Sequence, residues 1–473
     1  MPPPAGRRLP SMDEGALCFR SATELTAMLR AREVSSVEVV TACLGRIEAV
    51  NPAINAVVRL APDALERARA ADASLARDES HGPLLGLPFT IKDSLDTAGL
   101  VTTAGTIGWR DRVPGRDATV VARLRAAGGI LLGKTNTPEF TWSNETDNDV
   151  YGRTSNPYDV ERTPGGSSGG PGAVVAAGGS PLDIGSDTGD SIRQPAHVCG
   201  IAGIKPTRGR VPRTGHWPGY EGMLESLTQL GPMARRVDDL ALVLPLIAGP
   251  DGEDPHVPPV PMPDPGRRDI SGLRVVAFTD NGLRSPTPAT VETVEAAIEA
   301  LAAGGATVRR EVPPGLGDAW RAWTAMIHAD GWAWLRRLIA GAGTPGMGSY
   351  DIRGWLDPAA ELHGAELTAL LERVDVIRAA FQRWMGDVDV IACPAMPQPA
   401  IHHGESNAAW FGDTYSDVHN LTGCPAVVVR GGTSEAGLPI GVQLVAPLWR
   451  EDLAIAAARV VEAASGGWRR PPM

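Results

Sequence analysis

The 473-residue chain carries 44 Lys and Arg against 55 Asp and Glu, a net charge of −11 at pH 7. That balance offers no basic footprint for phosphate backbones or anionic lipid, so the sequence predicts neither nucleic acid nor membrane as a partner. Its 43% hydrophobic and 21% charged residues suit a large soluble core, and MPPPAGRRLPSMDEGALCF lacks the apolar run of a signal peptide, which predicts a cytoplasmic protein.

The first 80 residues read as helices: Ser35 and Ser36 precede the amphipathic VEVVTACLGRIEAV, and the Ala-rich ALERARAADASLARD follows Pro62. LPFTIKDSL (87–95) has β character, DATVVARLRAAGG reads as a helix with Asp117 as its N-cap, and ILLG as a short buried strand. Residues 143–172, dense in Asn, Gly, Pro and Ser, read as loop; AVVAAGG then predicts a helix and PLDIGS a strand. VDDLALVLPLIAG is an apolar helix, and the Pro-rich stretch after it has the composition of a domain linker. LRVVAFT, TVETVEAAIEALAAGG and ATVRREV form a βαβ rhythm; DVDVIACP, PAVVVR and IGVQLVAP are further strands, closed by the helix REDLAIAAARVVEAA. The alternation predicts one α/β domain over residues 1–473 with a large mixed sheet between helices.

Two motif matches fail on context. GGILLGKT (128–135) fits the phosphate-loop pattern, but Gly-Ile-Leu-Leu reads as the strand itself and no helix follows cleanly. GGSSG (165–169) fits the nucleophile elbow around Ser167, yet no strand leads into it. The five cysteines are scattered without C-x-x-C spacing and the nine histidines form no H-x-x-x-H pair, so the expectation is buried thiols and no metal.

Three stretches carry chemistry: TIKDS around Lys92, TPGGSSGGPGA around Ser167 and Ser168, and SDTGDSIRQPA around Ser191. A serine hydroxyl needs a base, and in the absence of a well-placed histidine that base is a lysine kept neutral by burial. Lys92 follows the apolar LPFTI, as such burial requires.

The run TPGGSSGGPGAVVAAGGSPLDIGSDTGDSIRQPAHVCGIAGIKPT resembles the signature of the amidase signature family, and the resemblance extends in order over about residues 20–465, with a catalytic core at 85–250. It implies a single α/β/α domain, which overrules the linker reading. It also implies a Ser–cis-Ser–Lys triad of Ser191 as nucleophile, Ser167 bridging after a cis Gly166–Ser167 bond, and Lys92 as base. The same resemblance makes the backbone N–H groups of Thr188, Gly189, Asp190 and Ser191 the oxyanion hole, and no cofactor is needed. Ser168, Asp187 and Arg193 would support the loop and the turn. Asp190 departs from the family, which usually has glycine there, and its carboxylate is expected to point away from the hole, toward a backbone group or a cation such as Arg210.

The implied substrate is an amide or carbamate, the only partner expected beyond a second copy in a homodimer. Trp142, Trp410 and Phe411, within the candidate pocket segments 141–151, 315–360 and 396–413, suggest an apolar or aromatic pocket like that of urethanases and aryl acylamidases. Trp320 and Trp323, at helical spacing, read as core. Two alternatives stand beside this reading: the amidase subunit of a tRNA-dependent amidotransferase, and a non-catalytic homologue disabled at Asp190.

Overall fold

The computed structural model describes residues 14–79, 82–219, 221–266, 268–344, 361–406 and 415–473. Its strands are β1 (Val57–Leu60), β2 (Pro88–Lys92), β3 (Ile130–Thr135), β4 (Leu182–Asp187), β5 (Ala202–Lys205) and β6 (Gln229–Ala234) in the first half, then β7 (Arg274–Ala277), β8 (Thr307–Arg310), β9 (Val390–Pro394), β10 (Ala426–Thr433) and β11 (Pro439–Val445). Eight of them form one mixed sheet in the order β4-β6-β5-β10-β11-β9-β7-β8, antiparallel from β4 to β9 and parallel from β9 to β8. The other three form a small sheet, β1-β3-β2, whose β2 packs beside the β4 edge of the large one.

Burial explains the strands' composition. β2, β3, β4, β5, β6, β9 and β11 are buried at every residue, so they read as mainly apolar or small runs rather than alternating ones, broken by single buried polar residues such as Lys92, Lys134, Asp183 and Gln443. β7 and β8 are parallel and joined through the helix Pro288–Ala303, the βαβ unit that the sequence predicts. That helix and the C-terminal helix Glu451–Ser465 pack on β10 and β11, while Arg193–Val198 packs on β5, β10 and β11. A second apolar cluster, rich in tryptophan, is built from Phe140, Trp142, Met326, Trp332, Leu335 and their neighbours.

Local signals hold in part. Ser35 caps the helix Ser36–Ile54, with Glu38 reciprocating in a capping box. Asp117 does not cap the helix Thr119–Ala126: its carboxylate instead accepts the Ala98 N–H at 2.7 Å and pairs with Arg125 at 2.8 Å. The N-terminal 80 residues are not all helical, because β1 finds an antiparallel partner in β3 across about 70 residues of chain that local periodicity does not sense. GGILLGKT contains β3 itself, and the Lys134 side chain is buried against Thr97 at 2.9 Å, a structural role. All five cysteines are buried free thiols. Among the described residues no helix is long and apolar enough to cross a membrane, and no cluster of three His, Cys, Asp or Glu is placed to hold a metal.

Candidate active site

The site forms where the ends of β2 and β4 meet. Thr90, on the Lys92 side of β2, donates its hydroxyl to Asp183 of β4 at 2.7 Å, and Thr135 of β3, in register with Lys92, donates to the same oxygen at 3.0 Å. These bridges hold β2 beside β4, so Lys92 at the end of one strand reaches the turn that follows the other. The Gly-Ser loop 165–168 enters between them and opens the helix Gly169–Ala177.

Lys92 is fully buried, and its Nζ lies 2.6 Å from Ser167 Oγ, 3.0 Å from Ser168 Oγ and 3.0 Å from Ser186 Oγ. It makes no ion pair among the described residues. Burial therefore pushes its pKa well below the usual 10.5, against the opposing pull of the Asp187 and Asp183 carboxylates. A neutral amine has two N–H donors and one lone pair, so one of the three hydroxyls must donate to it. The Ser168 hydroxyl can give its proton to the Ser186 carbonyl at 3.3 Å. Ser167, the closest of the three, is then the natural donor.

The Gly166–Ser167 peptide is cis, as the resemblance implies. Gly166 donates its N–H to Gln194 Oε1 at 2.8 Å, and the Ser167 carbonyl accepts from Thr137 Oγ1 at 3.1 Å. A side chain at Gly166 would run into the Ser143 carbonyl at 2.4 Å, so the loop fits only with glycine there. Ser168 donates its N–H to the Ser191 carbonyl at 3.2 Å, tying the Gly-Ser loop directly to the turn of the proposed nucleophile. Ser191 and Gly189 are partly exposed in a surrounding of buried residues, and among the described residues the Ser191 hydroxyl is uncommitted.

Behind the turn lies a buried ion pair. Arg193 and Asp187 meet at 2.9 Å with no solvent exposure. Asp187 also accepts the N–H groups of Ile192 and Arg193 at 3.0 and 3.3 Å, and Arg193 reaches the carbonyls of Gly189 and Ser416 and the side chains of Asn420 and Gln443. Burial, the largest single influence, would raise the Asp187 pKa; Arg193, the Asn420 amide and Lys205 together outweigh it and hold the carboxyl below its usual range.

Two expectations are corrected at this turn. Arg210 does not serve Asp190, because it is committed to Glu451 at 3.1 Å in a second buried pair. The buried Asp190 carboxylate instead favours the charged form of Arg193, after the larger effect of Asp187 and together with Asp417. Trp323 is not merely core: its indole N–H donates to the Thr188 carbonyl at 3.1 Å. Its helical spacing says which face of the helix it occupies, but not that this face meets the turn. Ser186, Gln194, Asn420 and Gln443 are likewise missed by the sequence reading, since none stands in a pattern that separates a site residue from an ordinary strand or helix residue.

Trp142 packs edge-on to Trp332 and Trp334, each at 5.5 Å, and backs the wall of a cavity of about 400 Å³. Trp217, Met223, Leu224, Met326, Trp334 and Leu338 line that cavity. Hydrogen bonds link its wall to both halves of the site: Trp217 donates its N–H to the carbonyl of Ser94, two residues past Lys92, at 2.7 Å, and the Leu224 carbonyl accepts from Thr228, whose hydroxyl is 3.0 Å from that of Thr188. Glu145 joins two of the expected pocket segments by accepting the N–H groups of Gly404 and Ser406 at 2.9 and 3.2 Å. Trp410 and Phe411 lie outside the described residues.

The Amidase family model matches residues 38–455. The A subunit of the glutamyl-tRNA(Gln) amidotransferase of Roseiflexus sp. (strain RS-1) is 38% identical over 89% of this chain and 91% of its own length. The protein of the same name from Moorella thermoacetica is 36% identical over 96% and 99%. Among solved structures, 6-aminohexanoate cyclic dimer hydrolase matches with a TM-score of 0.86 and 29% identity, over 96% of this chain and 99% of that one. The curated relatives overturn the expectation of a small-molecule partner without nucleic acid, for their name describes one member of an assembly and includes a tRNA. The acidic balance misleads here because net charge describes one chain's field, whereas in an assembly a different chain can hold the nucleic acid.

Proposed function

Because the chain belongs to the amidase family, we propose that it cleaves the C–N bond of an amide through an acyl-enzyme on Ser191. The single observation that carries this reading is the buried Lys92, without an ion-pair partner among the described residues, at 2.6 Å from Ser167. Neutral Lys92 takes the Ser167 proton as Ser167 takes that of Ser191, whose oxygen attacks the acyl carbon. The oxyanion is held by the N–H groups of the 188–191 turn. The proton then returns along the same relay to the leaving nitrogen, and water cleaves the ester.

Two substrate readings follow from different observations. The relatives' name supports the amidase subunit of a tRNA-dependent amidotransferase, which works with partner proteins and supplies them with ammonia. The tryptophan- and methionine-lined part of the cavity, which also holds Glu221, Asp330 and Arg337, supports an anilide or aryl carbamate, as in a urethanase or aryl acylamidase. A panel of glutamine, aliphatic amides, anilides and aryl carbamates, run with and without the other amidotransferase components and beside Ser191→Ala, separates them. Partner-dependent glutaminase activity selects the first, and unaided anilide or carbamate cleavage the second. Full activity of Ser191→Ala would remove the mechanism altogether.

A further inference from the structure

The oxyanion hole needs backbone N–H groups that face the substrate, and a peptide unit is planar and trans, so its C=O and N–H point in opposite directions. An N–H is therefore aimed by anchoring the carbonyl of its own peptide on the far side. In the turn after β4 two such anchors come from nearby in the chain. The Gly189 carbonyl accepts from Arg193 Nη2 at 2.5 Å, which orients the Asp190 N–H; the Asp190 carbonyl accepts the Gln194 N–H at 2.7 Å, which orients that of Ser191. The Thr188–Gly189 peptide has its anchor elsewhere: the Trp323 indole N–H, on the helix Leu316–His328, donates to the Thr188 carbonyl at 3.1 Å.

The ring makes a second contact with the same peptide. A Cβ on Gly189 would stand 2.9 Å from Trp323 Cζ2 and 2.9 Å from Asp417 Oδ1, so the turn is pressed against both side chains and only glycine fits between them. On the open side, the Gly189 and Ser191 N–H groups are uncommitted among the described residues, and both residues are partly exposed where their neighbours are buried. One turn further along the same helix, Met326 lines the 400 Å³ cavity.

We propose that Trp323 is a positioning residue of the oxyanion hole, holding the Thr188–Gly189 peptide with its N–H toward the developing oxyanion. This rests on the acyl-enzyme reading above and names a second support of the hole from a distant helix, beside Asn420 of the helix Asp417–Thr422, which donates to the Asp187 carbonyl at 3.2 Å and so orients the Thr188 N–H. A consequence is that the helix forming a wall of the cavity also aims a catalytic N–H, so the substrate's side group and the reacting carbonyl are read by one element.

The test uses the full chain and a long-chain alkyl fluorophosphonate. Ser191 Oγ forms a bond to phosphorus, the P–F bond breaks and fluoride leaves, the serine proton passes through Ser167 to Lys92, and the phosphoryl oxygen occupies the hole. Trp323→Phe keeps a ring and removes the donor. The expected result is an inactivation rate constant lower by about 10- to 100-fold with the reagent's binding constant within about twofold, since one aimed donor is weakened while the walls remain. Trp323 replaced by benzothienylalanine, which keeps the bicyclic shape and lacks the N–H, should behave the same, and it carries the test if the Phe variant fails to fold. Unchanged inactivation in a folded variant, or a change in binding alone, overturns the proposal and leaves the acyl-enzyme reading standing. A wild-type chain that is never labelled at Ser191 overturns both.

Discussion

Lys92 Nζ stands 2.6 Å from Ser167 Oγ, and neither residue has appreciable contact with solvent. With no carboxylate paired to the amine among the described residues, the serine hydroxyl is its closest polar contact, so the two groups act as one proton-carrying unit. Lys92→Ala and Ser167→Ala should each lower kcat by about 10²- to 10⁴-fold, the range of a general base. The double variant should be little worse than the more damaging single one, because the second substitution removes a link already broken. Independent, multiplying losses in that double-mutant cycle would show that the two residues serve separate steps.

The buried amine also fixes the sign of the pH dependence. Lys92 works as a base only when neutral, and burial holds its pKa well below 10.5. Activity should therefore rise with pH through the depressed value and level off below the ordinary lysine range. The Asp183 carboxylate opposes this depression by favouring the ammonium, while burial raises its own pKa to about 7. Asp183→Asn removes that negative charge, so the acid limb of the kcat/KM profile should move to lower pH; a limb moved to higher pH would contradict the assignment.

The same shift enters stability. Between the depressed folded value and 10.5 the unfolded chain binds a proton at this lysine that the folded chain does not, so folding strengthens as pH rises through that window. Lys92→Met should accordingly be more stable than wild type near neutral pH, and its advantage should shrink as pH approaches 10.5. Urea midpoints across that range give the comparison.

Arg193 is bound on every side, by Asp187, Gly189, Ser416, Asn420 and Gln443, with no solvent exposure. Removing one partner of such a pair leaves a buried charge unmatched, so Arg193→Met should cost about 3–5 kcal/mol of stability by urea unfolding. Arg193→Lys keeps the charge but replaces a planar fork of five donors with a single ammonium. It should retain more stability than Arg193→Met while still lowering kcat, because one ammonium cannot hold Asp187 and the Gly189 carbonyl together.

What the sequence makes legible here follows the range of its signals. Strands buried on both faces announce themselves as mainly apolar runs, and Ser35 with Glu38 marks a helix start, because those preferences act over a few residues. Lys92, Ser167 and Ser191 stand out in the sequence because they sit in extended motifs, and the structure brings Lys92 and the Gly-Ser loop together beside the turn of Ser191. Ser186 and Trp323 are not legible. Ser186 is one polar residue inside a buried strand, and Trp323 lies 135 residues from the carbonyl it holds, a contact set by how a helix packs and not by any local pattern. The Arg210–Glu451 pair hides for the same reason, with 241 residues between its partners.

Asp190, where the family usually has glycine, gives the most direct electrostatic test of the turn. Its carboxylate is buried and, with those of Asp187 and Asp417, favours the charged form of Arg193. Were it instead facing an oxyanion about 6 Å away, the repulsion at an effective dielectric of about 20 would be near 3 kcal/mol, so neutralising it would raise kcat about 100-fold. Supporting Arg193 predicts the opposite sign: Asp190→Asn should leave kcat unchanged or lower it a few-fold, and should cost some stability because one of the acids around Arg193 is lost. Steady-state kinetics on the best amide of the panel, with urea unfolding of the same samples, decides the matter. A large gain in kcat would show that the carboxylate opposes the reaction, and would make the aspartate a brake on this turn.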